Sequence, residues 1–340
     1  MLKHYDLCVI GSGPGGQKAA IQASKLGKRV AVVESMEVVG GVAANTGTIP
    51  SKALREAVLI LTRSGEPLGM PGRPSPSGIT IRDLLEQCHR IVRKEIEIIR
   101  RHLSQNGIDL VQGRARFLDR RTVAVEGARV RDTLTADRFV LAVGTEPARP
   151  DSVPFDGSRV LTSDDLLSLE RLPRSMIVVG GGVIGTEYAS MFQKLGVRVT
   201  LIEGRERLLE FVDPEIGEAL QYHLRDAGMT LRLGEKVVTI RVVDGTGRDE
   251  EPLVEATLES GKTLRAGCLL YCVGRQGSTD DLNLCAVGLE ADRRGRVAVD
   301  ERYRTANEDV YAVGDVIGFP ALASTSMDQG RVAACRMYDE

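Results

Sequence analysis

Two glycine-rich turns carry the residues best placed to do chemistry. "GSGPGG" follows the apolar run "YDLCVI" and supplies Gly11, Gly13 and Gly16. "GGGVIG" follows "SMIVV" and supplies Gly180, Gly182 and Gly185. After each turn comes a stretch with helical patterning that closes in "KLG", then a second apolar strand ending in an acid, Glu34 or Glu203. The spacing from first glycine to acid is the same in both copies. Each residue type has a physical reason. The first glycine permits a tight turn, the second lets backbone approach a pyrophosphate, and the third brings helix against strand. The helix N-terminus then offers free N–H groups to phosphate, and the acid can accept hydrogen bonds from ribose hydroxyls. A lone G-x-G-x-x-G is a weak signal, because glycine turns also arise from packing. Here strand, turn, helix, strand and acid occur together, twice, and the pattern predicts two bound dinucleotides.

The elements that must position these turns follow from the rest of the chain. Residues 51–63 read as a helix, and a Gly/Pro-rich loop is expected at 64–78. A long helix is predicted from about Thr80 to Asn106, opened by a Thr80/Asp83 capping box and closed by Gly107. Its apolar stripe is Ile81, Leu84, Leu85, Ile91, Val92, Ile98, Ile99 and Leu103. "GRARFLDRRTVAV" and "RFVLAVGTEPARP" read as strands rejoining the first sheet, and "SGKTLRAGCLLYCVGRQGST" as the close of the second domain. "VYAVGDVIG" opens a third segment. The expected fold class is α/β with two Rossmann-like dinucleotide-binding domains. Residues 1–150 and 276–340 form one domain, and residues 151–275 form a second domain inserted into it.

Composition removes other classes. A chain of 340 residues has room for two cores, and 42% hydrophobic with 27% charged residues is ordinary for a globular protein. A net charge of −2 and the absence of Trp argue against a nucleic-acid or anionic-membrane partner. The six cysteines (Cys8, Cys88, Cys268, Cys272, Cys285, Cys335) show no C-x-x-C, and the four histidines form no ligand-spaced group, so no metal site is expected. Cys268 and Cys272 fall on one face of a strand, where buried thiols are common. The chain enters its first strand with no leader-like segment and contains no span-length apolar run, which makes the cytoplasm the expected compartment.

With both turns, "VLAVGTEPARP" and "VYAVGDV" in view, the chain resembles the pyridine nucleotide–disulfide oxidoreductases over essentially its whole length. Within them it is most similar to the soluble FAD-dependent pyridine nucleotide transhydrogenases. The resemblance implies FAD at Gly11, Gly13, Gly16, Glu34, Lys52, Gly113, Ala115, Thr145 and Asp315, with Ala323 near the flavin ring. It implies NAD or NADP at Gly180, Gly182, Gly185, Glu187, Glu203 and Gly274. Disulfide reductases of this family carry two redox cysteines in a G-G-x-C-x-N-x-G-C-x-P-S-K frame. Here "GGVAANTGTIPSK" keeps the frame but has Ala43 and Thr48 at the cysteine positions. A thiol relay is therefore excluded, and hydride exchange on the flavin itself is expected, between NADPH and NAD. Lys52 and Glu187 are the expected catalytic pair. The alternatives are an NADH diaphorase or quinone reductase, and a non-catalytic redox-sensing flavoprotein. The family also has a C-terminal domain that forms its homodimer. This chain ends at "RVAACRMYDE", where that domain would begin, and weak or absent dimerisation is expected. Glu203 favours NADH at the second turn, while Arg205 and Arg207 could receive a 2′-phosphate. The expectation is that NADH reduces the flavin more readily and NADPH is also accepted.

Overall fold

The computed structural model describes residues 3–63, 80–127, 131–244 and 252–338. The loop expected at 64–78 lies outside them. Two compact units emerge: Met1–Ile49, Ile91–Glu146 and Arg275–Glu340 form the first, and Pro50–Arg90 with Pro147–Gly274 the second.

The first unit is built on a seven-stranded sheet. β1 (Lys3–Ile10), β2 (Val30–Glu34) and β3 (Asp109–Gln112) run parallel, and β1 also pairs in parallel with β6 (Arg131–Leu141). β17 (Val310–Ala312) joins the far end of β6, placing Ala312 beside Leu141. β4 (Arg114–Phe117) and β5 (Thr122–Glu126) continue the sheet antiparallel. All five residues of β2, "VAVVE", are buried, as in a strand covered on both faces. One face packs around Phe117, Phe139 and Leu141, the other around Leu7, Val9, Val32 and Leu103. The covering helices are α1 (Pro14–Lys25), the short α2 (Gly41–Asn45) and α7 (Ala323–Met337), with the later part of α4 (Ile81–Gln105). α1 and α7 meet closely, since a Cβ on Gly330 would lie 2.2 Å from the Gly15 carbonyl oxygen.

The second unit repeats the design with a five-stranded parallel sheet. Its order is β11 (Thr230–Leu233), β10 (Arg198–Glu203), β9 (Ser175–Val179), β15 (Cys268–Tyr271) and β8 (Val160–Leu161). β12 (Val237–Val243), β13 (Leu253–Leu258) and β14 (Thr263–Ala266) form an antiparallel sheet of their own. α3 (Thr48–Arg63), α5 (Val183–Lys194), α6 (Pro214–Asp226) and the start of α4 supply its helices. β7 (Thr145–Pro147) pairs with β16 (Arg275–Gly277) at the two later passages of the chain between units. Among the described residues, no helix is long and apolar enough to cross a membrane.

The compact units differ from the expected division in one long segment and in small shifts of two bounds, to Glu146/Pro147 and Gly274/Arg275. Residues 50–90 group with the second unit rather than the first. The reason is packing: Leu54, Val58 and Leu61 of α3 and Leu84 and Leu85 of α4 share one core with Tyr188, Met191 and Phe192 of α5. The long helix follows the expectation at both ends. Thr80 and Asp83 exchange capping hydrogen bonds (Thr80 N to Asp83 Oδ2, 2.7 Å; Asp83 N to Thr80 Oγ1, 3.3 Å), and Gly107 takes φ 64°. Its stripe is corrected at two places. Ile91 is exposed and Ile98 only half-buried, while Cys88 and Ile96 are buried. Ile91 stands one position off the line that runs 81, 84, 88, 92, 96, 99, 103.

The third glycine of each turn is demanded by packing. A Cβ on Gly16 would lie 2.0 Å from the Gly11 carbonyl oxygen, and one on Gly185 lies 1.9 Å from that of Gly180. Gly16→Ala should lower folding stability by about 2–3 kcal/mol. Gly27→Ala, at φ 75° with nothing within 4 Å of its Cβ, should cost only about 1 kcal/mol. Urea denaturation compares the two, and equal costs would contradict the packing role of Gly16.

Candidate dinucleotide-binding sites

In the first unit β1 runs into Gly11 at φ 101°, and α1 begins after Gly13. Gly11 cannot carry a side chain, because its Cβ would lie 2.3 Å from the Ala142 carbonyl oxygen. Gly13 is different: the nearest atom to its Cβ would be that same oxygen at 4.0 Å, so no protein atom requires a glycine there. α1 has no side-chain cap and no acid in its first turn. Its leading N–H groups are left for another acceptor. Glu34, 4% exposed, ends β2 and turns back onto the glycines. Its Oε2 accepts from Ser12 N (3.0 Å) and Ser12 Oγ (2.6 Å), and its Oε1 from Met36 N (2.9 Å). The Ser12 hydroxyl also accepts from Gly40 N (2.9 Å), which ties the opening of the "GGVAANTGTIPSK" segment to the turn. A Cβ on Gly41 would lie 2.9 Å from the Gly13 Cα, so this segment packs directly on the turn. Most of it is helical: α2 and α3 occupy it, with Ala43 half-buried on α2 and Thr48 exposed at the start of α3.

The second unit reproduces the turn. Gly180 takes φ 107° with its Cβ direction blocked by the Cys272 carbonyl oxygen at 2.7 Å, and nothing lies within 4 Å of a Cβ on Gly182. α5 also begins without a side-chain cap or a first-turn acid. By contrast, α6 is capped by Asp213, whose Oδ1 accepts from Glu215 N at 2.9 Å. Glu203, 7% exposed, accepts from Gly181 N through Oε2 (2.6 Å) and from Arg205 N through Oε1 (3.0 Å). The Arg205 guanidinium adds Nε to Oε1 at 3.0 Å. Burial pushes the Glu203 carboxyl up, but the bonds from Arg205 and Gly181 prevail and hold it below the usual carboxylate range.

Other expected residues fall into groups. Thr145 and Asp315 stand together in the first unit, with Thr145 Oγ1 donating to Asp315 Oδ2 at 3.5 Å. Arg275, the neighbour of the expected Gly274, organises them. Its Nε donates to Thr145 Oγ1 (2.7 Å) and its Nη2 to the Thr145 carbonyl (2.6 Å). Burial pushes the Asp315 carboxyl up, opposed by the Arg275 charge and the Thr145 hydroxyl. Ala323 is half-buried and opens α7. Gly113 is held by packing, since its Cβ would lie 2.7 Å from Val125 Cγ1, and its N–H donates to the Glu34 carbonyl (2.8 Å). The Ala115 methyl sits in the core among Phe117, Val123 and Val125, so its backbone is the part left to meet a ligand. Gly274, at φ 89°, accepts through its carbonyl from Ala148 N (3.3 Å) in the second unit. Lys52 and Glu187, also both in the second unit, form an ion pair between Nζ and Oε1. The signal that could have found Ser12 was its hydroxyl between two turn glycines.

Cys272 borders the second turn, with its Cβ 3.4 Å from where a Cβ on Gly185 would lie. None of the six cysteines forms a disulfide. Burial pushes Cys8 and Cys268 up to about 12 and Cys88 to about 11, so none of these three is a thiolate at neutral pH.

Residues 5–330 match the family model described as pyridine nucleotide-disulphide oxidoreductase. The chain belongs to this family. The soluble pyridine nucleotide transhydrogenase of Mycobacterium tuberculosis is 51% identical over 100% of this chain and 72% of its own length. That of Colwellia psychrerythraea is 41% identical over 98% of this chain and 71% of its own. Among solved structures, LpdA from M. tuberculosis superposes with a TM-score of 0.88 at 25% identity, covering 100% of this chain and 73% of that one. The HOCl-induced flavoprotein disulfide reductase RclA from Escherichia coli gives 0.84 at 26%, covering 99% and 72%. Family membership implies a flavin and a pyridine nucleotide, and two glycine turns with open second positions fit those groups.

Glu203 gives a pH test. Its folded-state pKa lies below the ordinary value of 4.5, so its contribution is present above that value and fades as pH falls through the folded-state pKa. Glu203→Gln should lower stability by about 1–3 kcal/mol at pH 7, and the gap from wild type should shrink below pH 4.5. Melting temperature against pH reads this out, and a gap that persists into acid would show that the charge is not what holds the turn.

Proposed function

We propose that the protein is an FAD-dependent pyridine nucleotide transhydrogenase, with FAD at the first turn and NAD(H) and NADP(H) alternating at the second. The observation that carries the reading is the open direction at Gly13 and Gly182, beside first and third glycines closed off by the protein's own carbonyls. Glycine is required at the outer positions by packing and at the middle one by something outside the chain. A pyrophosphate approaching backbone N–H groups is that something. When bound, the flavin supplies acceptance of hydride from one nicotinamide and its return to another.

The protein's own residues bind, orient and balance charge. The uncapped starts of α1 and α5 hold the two pyrophosphates, and Glu34 and Glu203 meet the riboses with the lone pairs their turns leave free. Asp315, with its charge offset by Arg275 and its carboxylate steered by Thr145, is the acceptor for the ribitol hydroxyls. Glu187 fixes the Lys52 ammonium, and this lysine would be the cation that balances charge with a flavin bound. Ala43 and Thr48 offer no sulfur, so electrons have no exit to a thiol substrate from this segment. The names of the similar transhydrogenases support the same reading. The cytoplasm, where both nucleotides are available, is the proposed compartment.

The direct test is mixing the protein with NADPH and an acetylpyridine analogue of NAD⁺ and following the reduced analogue. Steady exchange is expected, with no turnover of lipoamide or glutathione disulfide. Lys52→Ala should slow exchange by about 100-fold, while Lys52→Arg recovers part of it. Reduction of quinones or dyes by NADH without any exchange would replace this reading with a diaphorase.

A further inference from the structure

The two turns share a backbone framework, and they differ in one charged side chain. In each, the acid accepts from the N–H of the residue after the first glycine: Ser12 N to Glu34 at 3.0 Å, and Gly181 N to Glu203 at 2.6 Å. In each, it also accepts from the N–H two residues beyond itself: Met36 N at 2.9 Å, and Arg205 N at 3.0 Å. The side chains then diverge. Glu34 takes its further bond from a neutral hydroxyl, Ser12 Oγ, and Met36 brings no charge. Glu203 faces Gly181, which has no hydroxyl, and instead takes the Arg205 guanidinium through Nε at 3.0 Å and Nη2 at 3.4 Å. Because Met36 serves the same backbone role, the turn itself does not need an arginine there.

Arg205 is built to move its charge while its base stays fixed. Its carbonyl accepts from Gly234 N (2.9 Å), and its N–H is held by Glu203. Its side chain is half exposed, and Nη1 lies 3.6 Å from Glu210 Oε2, so a second, half-exposed carboxylate shares the guanidinium. A lone buried carboxylate at the ribose would repel a 2′-phosphate, whereas one bridged by an arginine presents no net charge. We propose that Arg205 is an exchangeable counter-charge. It covers Glu203 when the ribose carries two hydroxyls and turns onto the 2′-phosphate when the nucleotide is phosphorylated. One subsite thereby admits NAD(H) and NADP(H). The inference rests on the alternation of nucleotides at the second turn, and Arg205 acts as a specificity-determining residue.

The test measures binding without turnover, by calorimetry on the purified flavin-loaded protein with adenosine 5′-monophosphate and adenosine 2′,5′-bisphosphate. Arg205→Met, which copies the first turn, should weaken the bisphosphate by about 10–100-fold and shift the monophosphate by no more than about threefold. Arg205→Lys should fall between, and Arg207→Met should have the smaller effect, since it is Arg205 that bonds Glu203. Equal weakening of both ligands, an unchanged bisphosphate affinity, or no binding of the bisphosphate by wild type would each overturn the proposal. The functional reading fails separately. Selective loss in Arg205→Met from a protein that performs no hydride exchange would leave this inference standing, and unchanged NADPH-driven exchange in that variant would overturn the inference alone.

Discussion

A buried carboxylate gripping the backbone of a glycine turn is the constraint on which both units depend. Glu34 and Glu203 each end the second strand of their unit and accept N–H donors from either side of the turn. The cost of burying a charge is offset only if its hydrogen bonds are made, so the turn and the acid specify each other's position. With that bond in place, the first strand must stop at the first glycine and the helix must start after the second. The third glycine must then lie against the carbonyl of the first, where no Cβ fits. The middle glycine is the one member of the set that the protein does not fill.

The same carboxylate is dressed differently in the two units, and the difference follows the proposed traffic. In the first unit Ser12 links Glu34 to Gly40, so the turn is laced to the segment that packs on it. Neutral donors and close packing suit a cofactor that stays. In the second unit the Arg205 guanidinium takes the place of the hydroxyl. Such an arrangement suits ligands that come and go with different charge. The replacement of sulfur by Ala43 and Thr48 belongs to the same account. The segment keeps its glycines for packing, as Gly41 against Gly13 shows, and carries no sulfur at either position.

Much of this was legible in the sequence because backbone geometry leaves compositional marks. Glycine at fixed offsets, an acid at constant distance and "KLG" at each helix end gave both turns, and the Thr80–Asp83 cap gave the start of α4. What was not legible depends on side-chain direction and on which core a helix joins. Residues 50–90 have apolar stripes that would suit either unit, and only the contacts of Leu54 and Leu84 with α5 decide the matter. Arg275 was invisible because its partner Thr145 is far away in the chain.

The central claim is that each open middle glycine serves a different dinucleotide. The most direct measurement pairs the flavin absorbance of purified protein with calorimetric titration of ADP-ribose, in Gly13→Val and Gly182→Val. The account predicts that Gly13→Val is purified without flavin yet still binds ADP-ribose, and that Gly182→Val keeps its flavin and loses ADP-ribose. Loss of both ligands in both folded variants, or flavin retained by Gly13→Val, would contradict it.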